Sequence, residues 1–159
     1  MLLICTNTMH RLAEEVQAGV GIPLLHIADP TAGAILQRGL TRVGLLGTRF
    51  TMEGQFYRGR LAEKFHLQVV IPNEEEMTTI HTIIYDQLCA GEVREESRQA
   101  FLAIVHRMQR DDGIEGLVLG CTEIGLLIRP SDLPSLALFD SARLHAIAAV
   151  DMALGGGGK

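Results

Sequence analysis

Cysteines are few in this sequence, and none is spaced for a metal site or a disulfide framework. The three cysteines, Cys5, Cys89 and Cys121, are an odd number, and no two form a CxxC pair. A disulfide framework is therefore excluded, and a structural zinc site is disfavoured. None of the six histidines forms an HxxxH pair, so we expect no metal. Free thiols fit a reducing compartment, and we expect a cytoplasmic protein.

The chain also lacks a long apolar run and a basic stripe. No apolar stretch approaches the roughly 20 residues that cross a bilayer, and the N-terminus has no signal-peptide pattern. The formal net charge is -5, with acidic and basic residues interspersed. Positive charge is thus not arranged to neutralise a phosphate backbone. We expect neither a nucleic acid partner nor a membrane.

Short apolar runs alternate with amphipathic stretches along the 159 residues. Strands are predicted at 2–5, 23–27, 42–46, 67–71, 117–119 and 136–139. Helices are predicted at 12–20, 29–37, 52–65, 74–88 and 95–109, with a last one capped by Ser141. Strands that alternate with helices favour βαβ units. The predicted fold class is therefore α/β, with parallel sheets covered by helices on both faces.

Polar residues cluster where the predicted strands end. The segment CTNTMH at 5–10 follows the first strand, GTRFT at 47–51 follows the third, and GCTE at 120–123 follows the fifth. Ligands of parallel sheets bind beyond the carboxyl ends of the strands, next to the first turns of the helices. The first and last clusters each place a nucleophile-type side chain beside a hydroxyl. The sequence therefore predicts one binding site at these strand ends.

The strings CTNTMH, LLHIAD, LLGTRFTME, FYRGRL and GCTEIGLL, in this order, resemble the aspartate/glutamate racemase family. The resemblance continues over almost the whole chain. It implies two similar Rossmann-like domains that face each other across a cleft, usually in a homodimer. It also implies chemistry without pyridoxal phosphate, metal or other cofactor. In this chemistry one cysteine of each domain removes or returns the α-proton of an acidic amino acid on opposite faces.

Removal of an α-proton needs an aimed base and preorganised donors for the carboxylate, which indicates roles for the strand-end residues. Cys121 is the expected base, and we expect helix N-termini to lower its pKa toward the thiolate. Glu123 is expected to contact the substrate ammonium or to tune Cys121. Four further residues are expected to bind the carboxylate or ammonium: Asn7, Thr8, Thr48 and Thr122.

Thr6 occupies the position where the family usually has its first cysteine. Cys5 comes one residue too early, and strand alternation predicts that it packs in the core on the opposite face. A threonine hydroxyl is far less acidic than a thiol. We therefore expect an asymmetric catalytic pair, Thr6 and Cys121, with unequal rates for the two enantiomers. Cys89, near a helix end, is expected to be an ordinary thiol without a site role.

Members of the resembled family begin with a further βαβ segment, so we expect the chain to lack an N-terminal portion. Residues 1–25 are then the remnant of a first α/β domain to which 135–154 returns. Residues 26–134 form the second domain, and 155–159 are a flexible tail. Without neighbours, residues 2–4 would form an exposed apolar edge.

The leading functional prediction is a racemase of aspartate or glutamate, and the sequence does not choose between the two substrates. One alternative keeps the fold and changes the reaction, as in hydantoin racemases, maleate isomerases or arylmalonate decarboxylases. Another is a non-catalytic remnant that binds acidic amino acids or associates with itself. A thiol-redox role is a further alternative, although no second cysteine is near Cys121 in sequence. His10 and Thr51 have structural explanations that compete with site roles.

Overall fold

The computed structural model describes residues 1–155. Its strands are β1 (Leu2–Leu3), β2 (Leu24–Leu25), β3 (Arg42–Leu46), β4 (Gln68–Val70), β5 (Gly116–Leu119) and β6 (Ala137–Asp140). Its helices are α1 (Ala13–Ala18), α2 (Ala28–Gln37), α3 (Arg49–Glu53), α4 (Gln55–Phe65), α5 (Glu74–Asp86), α6 (Glu95–Asp111), α7 (Ile124–Leu127) and α8 (Ser141–Ala153). Short 3-10 turns lie at Thr8–Leu12, Leu88–Ala90 and Pro130–Asp132. Beyond residue 155, the predicted tail lies outside the described residues.

The strands form two parallel sheets, one of order β1-β2 and one of order β4-β3-β5-β6. The predicted α/β fold class is confirmed. In the larger sheet, Leu46 of β3 pairs with Leu119 of β5, so both strands end at the same level. The glycines that follow them, Gly47 and Gly120, therefore lie side by side at one edge. The clusters of residues that follow β3 and β5 start at that edge.

Side chains of the central strands alternate between two apolar cores. Leu117 and Leu119 of β5 pack with helices α5 and α6, whereas Val118 packs with α2 and α4. All three are almost fully buried. A parallel strand covered on both faces needs such a continuous apolar run. This is why the runs at 42–46 and 116–119 contain no charged residue after Arg42.

The predicted helix at 52–65 is two helices, α3 and α4, separated at Gly54. The backbone of Gly54 is extended, with φ -69° and ψ 128°. A Cβ at this position would lie 2.5 Å from the carbonyl oxygen of Phe50, so a side chain does not fit. The break lets α3 stay at the strand end while α4 turns away. Helical spacing alone did not reveal it.

The start of α8 also differs from the prediction. Asp140, rather than Ser141, caps the helix, because its Oδ1 accepts a hydrogen bond of 3.0 Å from the backbone N–H of Arg143. Ser141 is the first helical residue and is fully buried. Its hydroxyl is thereby free to contact the neighbouring strand end.

Strand β6 pairs with β5, and helix α8 packs against α2. His145 of α8 also contacts the carbonyl of Leu25 at 2.8 Å. Residues 135–154 thus contribute a strand to the larger sheet and a contact to the smaller one. The division into two domains stays a prediction. Over residues 1–155, no helix is both long enough and apolar enough to span a membrane.

His26 lies at the junction of β2 and α2 and is only 5% exposed. Its Nδ1 accepts a hydrogen bond of 3.2 Å from the N–H of Ala28. Burial, followed by the positive charge of Arg60, lowers the pKa of His26 to about 3. The fold therefore holds this imidazole neutral.

We expect the protein to lose stability on mild acidification because of His26. The folded state binds fewer protons than the unfolded state below about pH 6.5, so stability falls as pH drops through that window. The loss reaches at most about 1.4 kcal/mol per pH unit for one such group. Urea titrations above about pH 4.5, where carboxylates stay ionised, measure it. The loss of stability with falling pH should be smaller in His26→Asn and unchanged in His106→Asn, which lies at an exposed site. Equal pH dependence of stability in the two variants would contradict the role of His26.

Candidate active site

A cavity of ≈ 340 Å³ lies where the smaller and larger sheets meet. It collects the residues that follow β1, β3 and β5. All of the predicted site residues line it: Thr6, Asn7, Thr8, Thr48, Cys121, Thr122 and Glu123. Parallel strand ends thus bring distant parts of the sequence together, as expected for this fold class.

Other lining residues carried no signal of a site in the sequence. Ile84 and Tyr85 come from α5, and Cys89 comes from the 3-10 turn that follows it. Amphipathic spacing predicted the helix α5, but it could not predict which strand end this helix covers. Cys89 is exposed, and it shares the cavity with Cys121.

Three threonine hydroxyls form a triangle at the back of the cavity. The Oγ1 atoms of Thr8 and Thr48 are 3.4 Å apart, and each lies 3.3 Å from Oγ1 of Thr51. Thr51 is fully buried and Thr48 nearly so. Because each hydroxyl both donates and accepts, the triangle can turn a donor toward a carboxylate or an acceptor toward an ammonium.

Asn7 is 3% exposed and packs beside the start of α8. Oγ of Ser141 lies 3.1 Å from its Oδ1 and 2.7 Å from the carbonyl oxygen of Leu119. Within residues 1–155, the buried Nδ2 of Asn7 has no hydrogen-bond partner. An unsatisfied buried donor costs about 1–3 kcal/mol. A group that accepts a hydrogen bond, such as a carboxylate, would remove this cost.

Cys121 is half-buried, and its Sγ donates a hydrogen bond of 2.9 Å to Oε2 of Glu123. Burial, followed by that hydrogen bond, raises the pKa of Cys121 to about 12. The expectation of a lowered pKa is therefore wrong. Helix α7, which follows the thiol, has only four residues, so its dipole is small, and the nearest charge is the negative one of Glu123.

Glu123 is the ionised partner in this pair. Burial acts to raise its pKa, but hydrogen bonds from Cys121 and Thr122 outweigh burial and lower it. Oγ1 of Thr122 lies 2.5 Å from the same oxygen, Oε2. The site at rest therefore holds a neutral thiol that donates a hydrogen bond to a carboxylate.

Cys5 and Thr6 are both exposed, and only Thr6 lines the cavity. The prediction that Cys5 packs in the core is wrong. Strand β1 ends at Leu3, so the alternation of a strand does not extend to residues 5 and 6. His10, in contrast, is buried and does not line this cavity.

Among the residues that the structure describes, no group of three or more His, Cys, Asp or Glu side chains is placed to hold a metal ion.

We expect Glu123→Gln to make Cys121 more reactive. Removal of the carboxylate removes two of the causes that raise the thiol pKa, although burial remains. Alkylation of Cys121 by iodoacetamide, followed peptide by peptide in a mass spectrometer, should become about 10-fold faster at a fixed mildly alkaline pH. Glu75→Gln, at an exposed position, is the matched control. An unchanged alkylation rate in Glu123→Gln would show that burial alone sets the pKa.

Gly120 lets strands β3 and β5 approach at the cavity floor. Its N–H donates a 2.6 Å hydrogen bond to the Leu46 carbonyl, and a Cβ at Gly120 would lie 2.9 Å from that same oxygen. Gly120→Ala should therefore destabilise the protein by about 1–3 kcal/mol in urea unfolding. Gly33→Ala, within α2 and with open space around its Cβ, should instead stabilise it by about 0.5–1 kcal/mol. Equal unfolding midpoints for the two variants would contradict this account.

Comparison with known proteins agrees with the fold. The family model described as Asp/Glu/Hydantoin racemase matches residues 1–149. The chain belongs to the Asp/Glu/hydantoin racemase family. An aspartate racemase homologue from Pyrococcus horikoshii superposes with a TM-score of 0.86 at 36% identity. A Yersinia pestis protein named as a candidate Asp/Glu racemase gives a TM-score of 0.91 at 46% identity.

These relatives are longer than the chain. The Yersinia structure matches over 96% of this chain and 65% of its own, and the Pyrococcus structure over 96% and 66%. The glutamate racemase of Streptococcus pyogenes is 26% identical over 151 residues, which are 89% of this chain and 53% of that enzyme. The chain thus spans about half the length of that curated relative. The predicted loss of an N-terminal portion is not confirmed, since the comparisons give only the shared lengths.

Proposed function

We propose that the protein inverts the α-carbon of aspartate or glutamate by proton transfer between two side chains, without a cofactor. The observation that carries this proposal is the shared cavity. Thr6 reaches it from the end of the small sheet and Cys121 from the end of the large one. A bound amino acid between them would present opposite faces of its α-carbon to the two groups.

The polar wall of the cavity supports an acidic amino acid as the ligand. Nδ2 of Asn7 is a buried donor that has no partner among residues 1–155, and the Thr8–Thr48–Thr51 triangle offers rotatable hydroxyls. Such donors stabilise the negative charge that develops on the carboxylate when the α-proton leaves. The ionised carboxylate of Glu123 can pair with the positive charge of the substrate ammonium. Names of the relatives, a glutamate racemase and an aspartate racemase homologue, agree with this substrate class.

The resting thiol of Cys121 needs an acceptor before it can act as a base. Glu123, whose pKa is lowered, is too weak a base to take the proton of a thiol with a pKa of about 12. Water in the cavity takes the thiol proton instead, and the thiolate then removes the α-proton. The hydroxyl of Thr6 gives its proton to the carbanion on the other face. Since Thr6 is exposed, water restores that proton to its oxygen. One stereocentre is inverted, and no net proton is consumed.

Removal of the α-proton is not equally easy on the two faces of the substrate. A hydroxyl can protonate a carbanion, but it is a poor base because its anion is scarce at neutral pH. The enantiomer whose α-proton faces Cys121 should therefore exchange that proton with solvent faster than the enantiomer whose α-proton faces Thr6, although kcat/KM for racemisation must be equal in the two directions. The resemblance also leads us to propose a homodimer in the cytoplasm, and light scattering of the purified chain tests the dimer.

Reaction in D2O tests the proposed function. The proposal predicts deuterium at the α-carbon of aspartate or glutamate, together with formation of the opposite enantiomer. Maleate should not isomerise, and a 5-substituted hydantoin should not racemise. Turnover of either of these without α-deuteration of an amino acid would assign the protein to another reaction of the same fold. No turnover of any of them would favour a non-catalytic role.

A further inference from the structure

The residue that the proposed function leaves unused is His10. It is 2% exposed and lies in the 3-10 turn Thr8–Leu12, which follows Thr6. Its Nδ1 lies 2.8 Å from the carbonyl oxygen of Thr6, and its Nε2 lies 3.1 Å from the backbone nitrogen of Ile27. The ring thus bridges the segment after β1 and the start of helix α2.

These two contacts fix the protonation of the ring. A backbone N–H only donates, so Nε2 of His10 must accept from Ile27. A carbonyl only accepts, so Nδ1 must carry the hydrogen that is donated to Thr6. A single neutral tautomer satisfies both bonds, whereas the other tautomer breaks both and the imidazolium breaks the bond to Ile27.

The surroundings of His10 favour this neutral form. The ring centroid of His26 is 4.5 Å away and that of His145 is 5.7 Å away. Burial lowers the pKa of His10 more than the bond to Thr6 raises it, and the charges of His145 and Arg60 act in the same direction as burial. The net effect is a lowered pKa for His10, which favours the neutral ring.

Thr6 itself lies outside any strand or helix. Strand β1 ends at Leu3, and the 3-10 turn begins at Thr8, so regular backbone pairing does not fix the residues between them. The side chain of Thr6 is exposed to the cavity. The hydrogen bond from the buried ring to the Thr6 carbonyl therefore helps to hold this segment, together with the contact of Asn7 with Ser141.

We propose that His10 is a positioning residue that, through its Nδ1–H tautomer, holds Thr6 on its face of the cavity. The inference rests on the proposed function, because Thr6 matters only if it transfers a proton there. His10 contacts no reacting atom in this role. His10 affects proton transfer at the Thr6 face of the cavity. Proton transfer at the Cys121 face, which is built on another strand, is largely independent of His10.

Two substitutions separate the two hydrogen bonds. His10→Asn places an amide near the position of Nδ1, so it can keep the donor to Thr6 and loses the acceptor for Ile27. His10→Gln reaches the position of Nε2, so it keeps the acceptor and loses the donor. Both variants remove one buried bond and leave a smaller side chain. The same pair of changes at exposed His106 is the control.

The activity readout uses the enantiomer whose α-proton faces Cys121, in D2O. Exchange with retention reports Cys121 alone, and exchange with inversion also needs Thr6. We expect His10→Gln to lower the ratio of inversion to retention by about 10-fold or more, and His10→Asn to lower it by less than about 3-fold. A general loss of structure would lower both processes together and leave the ratio unchanged. Equal ratios in the two variants, or a lower ratio in His10→Asn, would overturn the proposal.

A second readout does not depend on activity. The nitrogen shifts of a 15N-labelled His10 in the unmodified protein should show a protonated Nδ1 and an unprotonated Nε2 at neutral pH. The opposite tautomer, or an imidazolium, would overturn the positioning role even if racemisation is found. The expected tautomer in a protein that exchanges no α-proton would instead indicate that the proposed function fails while the contact to Thr6 holds.

Discussion

Cys121→Ala is expected to lower α-proton exchange by about 10³-fold for either enantiomer of the substrate, because a positioned acid–base group contributes roughly 10²–10⁴ in rate. Both directions need this thiol, as the base for one enantiomer and as the acid for the other. In the unmodified protein the rate of α-proton exchange should increase toward high pH, because exchange needs the thiolate and the pKa of Cys121 is raised to about 12. Deuterium incorporation followed by NMR measures the loss.

Cys89→Ala is the matched control for this experiment, because Cys89 lines the same cavity but is exposed and lies on the turn after α5. Its removal should change the exchange rate by no more than about 2-fold. If Cys89→Ala abolished exchange and Cys121→Ala did not, the assignment of the base would be wrong.

Thr6→Cys is expected to raise the rate for the slow enantiomer by about 10²-fold, since a thiol is a far better base than a hydroxyl near neutral pH. Thr6 is exposed, so a thiol there would be solvated and could ionise more readily than the buried Cys121. The two enantiomers should then react at more similar rates. Deuterium incorporation at the α-carbon in D2O, followed by NMR from each pure enantiomer in turn, measures the ratio of the two rates.

Thr6→Ser keeps the hydroxyl and should keep the asymmetry. Thr6→Val keeps the shape of the side chain and removes the proton donor. It should suppress inversion, while Cys121 still exchanges the substrate α-proton on its own face with retention. An unchanged ratio in Thr6→Cys would mean that the residue at position 6 does not face the α-carbon.

The fold could be predicted from the sequence because its central strands are buried on both faces. The apolar runs at 42–46 and 117–119 correspond to β3 and β5 within one residue. Parallel strands end at a common edge, so the polar residues that follow them were expected to meet, and they line one cavity. Here the pattern of hydrophobic residues determines the placement of the site.

Local features that depend on a few atoms were not predictable in this way. The break at Gly54 depends on the close approach of the Phe50 carbonyl. Cys5 is exposed because β1 stops at Leu3, two residues earlier than the apolar run suggests. Neither feature changes the hydrophobic periodicity, which is the main signal in a single sequence.

The electrostatics of Cys121 could not be inferred from its position at a strand end. A longer following helix would have favoured the thiolate, but α7 is one turn long and Glu123 folds back onto the sulfur. A carboxylate at 2.9 Å outweighs a weak dipole. The sequence predicted Cys121 as the base, and in the structure burial and the neighbouring Glu123 raise its pKa, which favours the protonated thiol.

The most direct test is α-proton exchange by the unmodified protein in D2O, measured separately from L- and D-aspartate and from L- and D-glutamate. The account predicts deuterium at the α-carbon of one of these amino acids, with inversion, at clearly different rates for its two enantiomers. Absence of α-deuterium from all four compounds, or equal rates for the L and D forms, would contradict it.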